Sequence, residues 1–223
     1  MTPISPSFID TLAFDDKDLI PAIAQDWLDG SVLMMAWMNR KSLELTLKTG
    51  ETHYWSRSRK EIWHKGSTSG HFQKVKGIRY DCDRDVILLS IEQIGAIACH
   101  EGKKSCFFNE IQVDSKDVLI SELPPTDACS ELFKTIEERF LNPQDKSYTN
   151  SLLKGGDNKI LKKIGEESAE FVMACKDNDS IEIANEAADL IFHLQVALKN
   201  HNVKWNDVLK VLVERRGKRR NSS

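Results

Sequence analysis

The sequence predicts a small, β-rich α+β domain followed by an all-α helical bundle. Three observations carry this reading. Short β-branched and aromatic runs broken by turn residues fill the first half, and apolar residues at helical spacing fill the second. Between them the stretch Asp114 to Thr126 changes character, and its Pro124-Pro125 pair can continue neither a helix nor a central strand. The domain boundary is therefore expected between residues 122 and 123, giving domains of residues 1–122 and 123–223.

In the first half, strands are expected at Val32 to Met38, Thr52 to Trp55, Val75 to Tyr80, Val86 to Ile91 and Ile97 to His100. One helix, Lys41 to Lys48, follows Asn39, whose short amide side chain suits an N-cap. In the second half, helices are expected at Ser130 to Phe140, Asn158 to Cys175, Ile181 to Lys199 and Trp205 to Arg216. Asp179 with Glu182 three residues on marks a capping-box-like start, and Ile191, Leu194 and Leu198 form an apolar stripe on the helix that follows.

Composition narrows the function classes. A chain of 223 residues, 40% hydrophobic and 29% charged, is ordinary for globular protein, and two small domains fit it better than one core. No run of about 18 apolar residues is present, and the first ten residues lack the basic start and apolar stretch of a signal peptide, so the expectation is a cytoplasmic protein with no membrane partner. Residues 1–122 carry 15 basic and 18 acidic side chains and residues 123–223 carry 16 of each, which argues against a nucleic-acid partner. The one basic cluster is Arg215, Arg216, Lys218, Arg219 and Arg220. An odd five cysteines (Cys82, Cys99, Cys106, Cys129, Cys175) with no export signal point to metal ligands or plain thiols rather than disulfides.

Two constellations carry chemistry. In the first, Asp81, Asp83 and Asp85 alternate with Cys82 and Arg84, so on an extended strand the three carboxylates would share one side and Cys82 would face the other. Oxygen ligands suit a hard ion such as Mg²⁺. Cys82, Cys99 and Cys106 with His100 nearby are ligand types for Zn²⁺, and a catalytic zinc bound by three protein ligands holds a water acidified to a pKa of about 7. Ser56-Arg57-Ser58-Arg59 and then Trp63, Lys65, Gly66, Thr68, Ser69, Gly70 and His71 supply cations, hydroxyl donors and accessible backbone N–H groups of the kind a phosphate needs.

The second constellation lies on consecutive helices. Glu167 with Glu170, and Glu186 with Asp189, are spaced i, i+3, so each pair shares a helix face and antiparallel packing would bring the pairs together. Converging carboxylates repel unless a divalent ion holds them, and oxygen-only ligation points to Mg²⁺. Glu166 is a further ligand or a residue that orients water.

These residues are specific enough to resemble known families. Trp37-Met38-Asn39, Ser56 to Arg59, Trp63 to Gly70, Asp81 to Asp85, Cys99-His100-Glu101-Gly102 and Ser105-Cys106-Phe107 closely resemble phosphoribosyl-AMP cyclohydrolase. Where relatives often carry Glu or Ala this chain has Ser67, which is given no chemical role. The resemblance implies Zn²⁺ on Cys82, Cys99 and Cys106 contributed across a homodimer interface, Mg²⁺ on Asp81, Asp83 and Asp85, and proton transfer by His100 or His71. It also implies substrate contacts from Trp37, Asn39 and the Ser-Arg and Lys-Gly segments. The second half, through Ser147-Tyr148-Thr149, Gly156, Lys163, Gly165-Glu166-Glu167, Glu170, Glu186, Asp189 and His193, looks like phosphoribosyl-ATP pyrophosphohydrolase of the all-α nucleotide pyrophosphohydrolases. That implies Mg²⁺ on Glu167, Glu170, Glu186 and Asp189, with Lys159, Lys163, Arg215 and Arg216 available to neutralise a triphosphate. The expected substrates are small nucleotides and the expected reactions are consecutive hydrolyses. Two rivals are weaker: a structural zinc module fused to a general nucleotide pyrophosphatase, and an RNA-binding regulator using the basic tail.

Overall fold

The computed structural model describes residues 6–111, 118–120 and 126–220. The chain divides into two compact units, Met1–Thr126 and Asp127–Ser223. The expected boundary between residues 122 and 123, with Pro124 and Pro125 beside it, lies outside the described residues.

The first unit is built on a six-stranded sheet in the order β4-β3-β2-β1-β6-β5. Its strands are β1 (Ile20–Asp26), β2 (Val32–Met38), β3 (His53–Ser56), β4 (Glu61–His64), β5 (Gln73–Tyr80) and β6 (Ile87–Gln93). All neighbours are antiparallel except β1 and β6, which run parallel. Alternation decides the faces: Ile20, Ala22 and Ala24 of β1 and Ile87, Leu89 and Ile91 of β6 are buried. They pack with Leu33, Met38, Tyr54, Leu43 and the short helical turn Pro6–Thr11 into one core. Helix α1 (Arg40–Thr49) starts in a capping box in which Asn39 accepts the N–H of Ser42 and the Ser42 hydroxyl accepts the N–H of Asn39, and it ends at Gly50 in the left-handed region (φ 71°). A two-stranded ladder joins β7 (Asn109–Ile111) and β8 (Val118–Ile120).

The expected strands omit β1, β4, β7 and β8, and one expected strand does not form. Central strand β1 carries Pro21 and two alanines, poor strand formers, and gives no local strand signal; it is tolerated because Pro21 precedes the β6 ladder, which begins at the Ala22–Ile87 pair. The strand expected at Ile97 to His100 is absent. Gly95 (φ 76°) and Ala96 (φ 57°) turn the chain there, and the Gly102 N–H donates to the Cys99 carbonyl (3.2 Å), closing a tight loop instead.

The second unit has α2 (Ala128–Leu141), α3 (Tyr148–Asp177), α4 (Ser180–Asn200) and α5 (Trp205–Arg220). Asp127, Ser147 and Asp179 cap α2, α3 and α4 through side-chain oxygens that accept backbone N–H bonds. Helix α3 begins ten residues before the expected Asn158, and Gly156 (φ 64°, ψ −165°) breaks it into two segments. The core gathers Ile136, Leu152, Ile160 and Val196. On α4 the buried positions are His193, Gln195 and Val196, while Leu194 of the expected stripe is 42% exposed. Among the described residues no helix is long and apolar enough to cross a membrane.

Candidate functional site

Asp81, Asp83 and Asp85 are exposed in the loop that turns β5 into β6, with one carboxylate oxygen of each within 4.8 Å of the others. The expected alternation along a strand is corrected. The Tyr80–Ile87 pair ends the ladder, and Arg84 at φ 68° is not extended. Convergence comes from the loop curling onto Asp81, whose Oδ1 accepts the N–H groups of Asp85 (3.0 Å) and Val86 (3.1 Å). Desolvation opposes ionisation of Asp81, but these donors outweigh it and hold its carboxyl below the usual range. Asp85, hydrogen-bonded to Asp81 and facing Asp83, is pushed up. Three carboxylates so placed fit a hard divalent cation.

Cys99 and Cys106 sit at the two ends of one loop. Cys99 is buried, its N–H bonds the Lys103 carbonyl (3.1 Å), and the Cys106 N–H bonds the Leu33 carbonyl (2.7 Å). Burial first, then the neighbouring Cys99, pushes the Cys106 thiol up to about 11. Among the described residues no cluster of three ligand atoms within 4.8 Å includes a cysteine, so Cys82 does not join Cys99 and Cys106 within one chain. The Lys65 ammonium donates to the Ala98 carbonyl (2.6 Å) beside these two thiols, so it faces the cysteine loop rather than standing free in a phosphate loop. Two adjacent thiols near a fixed cation are a donor set that fits a thiophilic ion.

The remaining expected residues fall around these groups. Ser56 pairs with Glu61, leaving Arg57 to Lys60 as an exposed hairpin turn. Within it Ser56 Oγ lies 3.4 Å from Ser58 Oγ and accepts the Arg59 N–H (3.3 Å), and Arg57 stacks over Trp37 (5.0 Å). Trp63 meets Tyr54 edge-on. Asn39 is engaged as the α1 cap, with its Oδ1 already accepting from Ser42. Thr68, Ser69 and Gly70 are exposed, and His100 has an 89% exposed side chain. His71 has a buried Nδ1 without a hydrogen-bond partner, and it lies so close against Gly95 that any Cβ there would collide with that nitrogen.

Gly66 holds the Lys-Gly turn at φ +92°, and a Cβ there would sit 2.5 Å from the Phe72 backbone nitrogen. Gly66→Ala is expected to cost about 2 kcal/mol or more. In thermal unfolding that is a loss of at least about 4 °C, and an unchanged transition would contradict the assigned backbone.

In the second unit, Glu167 from α3 and Glu186 and Asp189 from α4 bring carboxylate oxygens within 4.8 Å. Glu186 Oε2 is buried without a partner, and desolvation, then the charges of Glu170, Glu167 and Asp189, raise its pKa. A buried unpaired carboxylate oxygen among like charges fits a cation ligand. Glu170 is exposed and stands outside that group, though its charge reaches Glu186. Glu166 pairs with Lys162 (3.0 Å) and Lys163 (3.1 Å), which lower its pKa, and Lys163 also reaches Glu167 (3.3 Å). Lys159 donates to the Ser151 carbonyl (3.2 Å) across the α3 break, and Arg215 and Arg216 are exposed on α5.

His193, undecided in the sequence, is buried behind the carboxylates. Its Nδ1 lies 2.8 Å from the Asp189 carbonyl, which only accepts, so Nδ1 carries a proton and Nε2 faces the Tyr148 hydroxyl at 3.2 Å. Sequence reasoning also missed the ion pair of Lys104 with buried Asp29 (2.6 Å), because nothing local marks residues 75 positions apart as partners.

Residues 34–108 match the family of phosphoribosyl-AMP cyclohydrolase, and residues 129–216 match that of phosphoribosyl-ATP pyrophosphohydrolase. A histidine biosynthesis bifunctional protein HisIE of Prochlorococcus marinus (strain MIT 9313) is 68% identical over 217 residues, covering 97% of this chain and 98% of that protein. The chain belongs to this bifunctional family. A HisIE of Parasynechococcus marenigrum (strain WH8102) is 64% identical, covering 97% of this chain and 98% of that protein, and one of Nostoc sp. (strain PCC 7120 / SAG 25.82 / UTEX 2576) is 58% identical, covering 93% of each. The protein is accordingly a bifunctional hydrolase of histidine biosynthesis with a cyclohydrolase and a pyrophosphohydrolase module. The acid group on α3 and α4 falls in the second match, and Cys82, Cys99, Cys106 and the three aspartates fall in the first.

Proposed function

We propose that the helical module releases pyrophosphate from N1-(5-phosphoribosyl)-ATP and that the β-rich module hydrolyses the resulting phosphoribosyl-AMP between N1 and C6 of the adenine. The observation that carries the first step is the partnerless buried Glu186 Oε2 beside Glu167 and Asp189. Glu167, Glu186 and Asp189, with Glu170 at their edge, would hold a Mg²⁺, which when bound would supply charge neutralisation for the phosphates and a place for the attacking water. Glu166 orients that water. Lys159, Lys163, Arg215 and Arg216 neutralise the triphosphate, Lys163 from its place against Glu167.

For ring opening, Cys82, Cys99 and Cys106 would hold a Zn²⁺, which when bound would acidify the attacking water so that it can act at neutral pH. The N1 substituent makes C6 of the adenine electrophilic. Ser56 to Arg59 and Gly66 to Gly70 bind phosphate with hydroxyls, guanidinium groups and backbone N–H groups, and the Trp37–Arg57 stack forms a wall of that subsite. His100, with His71 as the second candidate, moves the proton to the departing nitrogen. Asp81, Asp83 and Asp85 would hold a Mg²⁺ whose charge would assist substrate binding.

Separation of Cys82 from the Cys99–Cys106 pair within one chain supports a homodimer in which each zinc takes Cys82 from one protomer and the other two thiols from its partner. Exposed Tyr80 and Phe107, next to these ligands, are apolar surface that such an interface would cover. The small charged nucleotide substrates suit a cytoplasmic enzyme that binds no nucleic acid. Mixing inactive Cys82→Ser and Cys99→Ser protomers tests the arrangement. Random exchange places one intact zinc site in half of the dimers, so about a quarter of wild-type ring opening returns. No recovery after demonstrated subunit exchange would refute the shared site.

A further inference from the structure

We propose that the buried Asp29–Lys104 ion pair is the positioning device that holds the zinc thiols in register, an inference that rests on reading Cys82, Cys99 and Cys106 as the zinc ligands. Lys104 lies between Cys99 and Cys106, and its side chain leaves the loop to reach the turn between β1 and β2. There its ammonium meets Asp29 Oδ2 at 2.6 Å, with the Asp29 side chain only 2% exposed. Asp29 is itself fixed, since its Oδ1 accepts both the N–H and the hydroxyl of Ser31. The anchoring carboxylate thus has a single orientation.

The rest of the loop hangs from this point. The Lys104 carbonyl accepts the Ala98 N–H (3.3 Å), and the Lys103 carbonyl accepts the Cys99 N–H (3.1 Å), so the main chain beside Lys104 sets the height of Cys99. On the other side the buried Ser105 hydroxyl donates to the Val32 carbonyl (2.8 Å), and the Cys106 N–H donates to the Leu33 carbonyl (2.7 Å). Both cysteines therefore take their places from one short segment lying along the start of β2. The ion pair is a charged tether between that segment and the β1–β2 turn.

Burial makes the pair directional. A carboxylate this buried is tolerated only with a counter-ion, so Asp29 pulls Lys104 inward and keeps it there. Desolvation opposes ionisation of Asp29, yet Lys104 and Ser31 keep its carboxyl below the ordinary value. Metal ligands held before the ion arrives bind it more tightly, because less conformational freedom is lost on binding, and outer residues that orient ligands typically change metal affinity about 10- to 100-fold.

Removing Lys104 alone would strand the Asp29 charge, so the test removes both charges together. Full-length Asp29→Asn/Lys104→Met is compared with wild type and with Lys104→Arg, which keeps the cation. Zn²⁺ affinity is measured by competition with a chromogenic chelator, and Co²⁺ is used as a spectroscopic probe of thiolate ligation. Lys104→Arg is expected to stay within about twofold of wild type, and the folded double variant to bind Zn²⁺ about 10- to 100-fold more weakly with altered Co²⁺ bands. Wild-type affinity and bands in the double variant would overturn the inference. If that variant does not fold, Asp29→Asn alone keeps a hydrogen-bond acceptor and should show a smaller loss in the same direction; unchanged Zn²⁺ binding there would overturn it equally. A wild type whose Zn²⁺ binding does not depend on Cys99 and Cys106 would instead refute the ligand reading itself, and this inference with it.

Discussion

Cys106→Ala is expected to abolish ring opening, with a loss of at least about 10³-fold in kcat/KM for phosphoribosyl-AMP, and to leave pyrophosphate release within about twofold of wild type. The first half follows from the ligand count. The zinc proposed on Cys82, Cys99 and Cys106 would lose a third of its thiolate donors, and with them the charge and geometry needed to hold it in place. The second half follows from the division of the chain. Cys106 belongs to the first unit, while Glu167, Glu186 and Asp189 belong to the second. The alanine also removes a side chain that is not part of the hydrophobic core, and the Cys106 backbone bond to Leu33 does not depend on the thiol. Circular dichroism and zinc content by mass spectrometry separate the expected metal loss from unfolding. Ring opening persisting above a hundredth of wild type in a zinc-depleted variant would show that the thiol is not a required ligand.

Glu186→Gln is expected to reverse the pattern, lowering pyrophosphate release at least about 10²-fold while supplied phosphoribosyl-AMP is still ring-opened normally. Glutamine matches the shape of the side chain and lacks its charge. At Glu186 the charge is what the site requires, because Oε2 is buried without any donor and faces Glu167, Glu170 and Asp189. A neutral amide in that place weakens the hold on a divalent ion and raises the Mg²⁺ concentration needed for half-maximal rate. It also removes like-charge repulsion, so the folded protein should gain rather than lose thermal stability. Reduced activity with an unchanged Mg²⁺ requirement would assign Glu186 a role other than metal ligation.

The elements carrying strong local signals were legible, and the ones decided by long-range packing were not. Strand β2 runs over Val32–Met38 as its unbroken apolar run suggests, and α1 starts at the Asn39 cap. Strand β1 was missed because its central place comes from pairing with β2 and β6, which overrides a proline and two alanines. The aspartate triad shows a right conclusion reached by a wrong route. Asp81, Asp83 and Asp85 do converge, but through a curled hairpin loop with Arg84 left-handed rather than through strand alternation.

On α3 and α4 the i, i+3 spacing did bring Glu167, Glu186 and Asp189 together, since helical periodicity alone determines which residues share a face. Spacing could not tell that Glu170 would remain at the edge, because that depends on how the helices are rotated against each other. Nor could it locate the Tyr148–His193 contact or the Asp29–Lys104 pair, whose members are brought together only by the finished fold. Lys65 illustrates the same limit. Its Lys-Gly context suggests a phosphate loop, whereas the folded chain turns its ammonium to the Ala98 carbonyl beside the cysteines.

The central claim is that one chain performs two consecutive hydrolyses at two separate sites. It is tested most directly by following N1-(5-phosphoribosyl)-ATP with purified protein, Zn²⁺ and Mg²⁺, resolving nucleotides by chromatography and measuring pyrophosphate. Wild type is predicted to release pyrophosphate and accumulate the ring-opened nucleotide, Cys106→Ala to stop at phosphoribosyl-AMP, and Glu186→Gln to leave the triphosphate uncleaved. Folded, metal-loaded wild type that turns over neither nucleotide, or a single folded variant that fails both to cleave the triphosphate and to ring-open separately supplied phosphoribosyl-AMP, would contradict it.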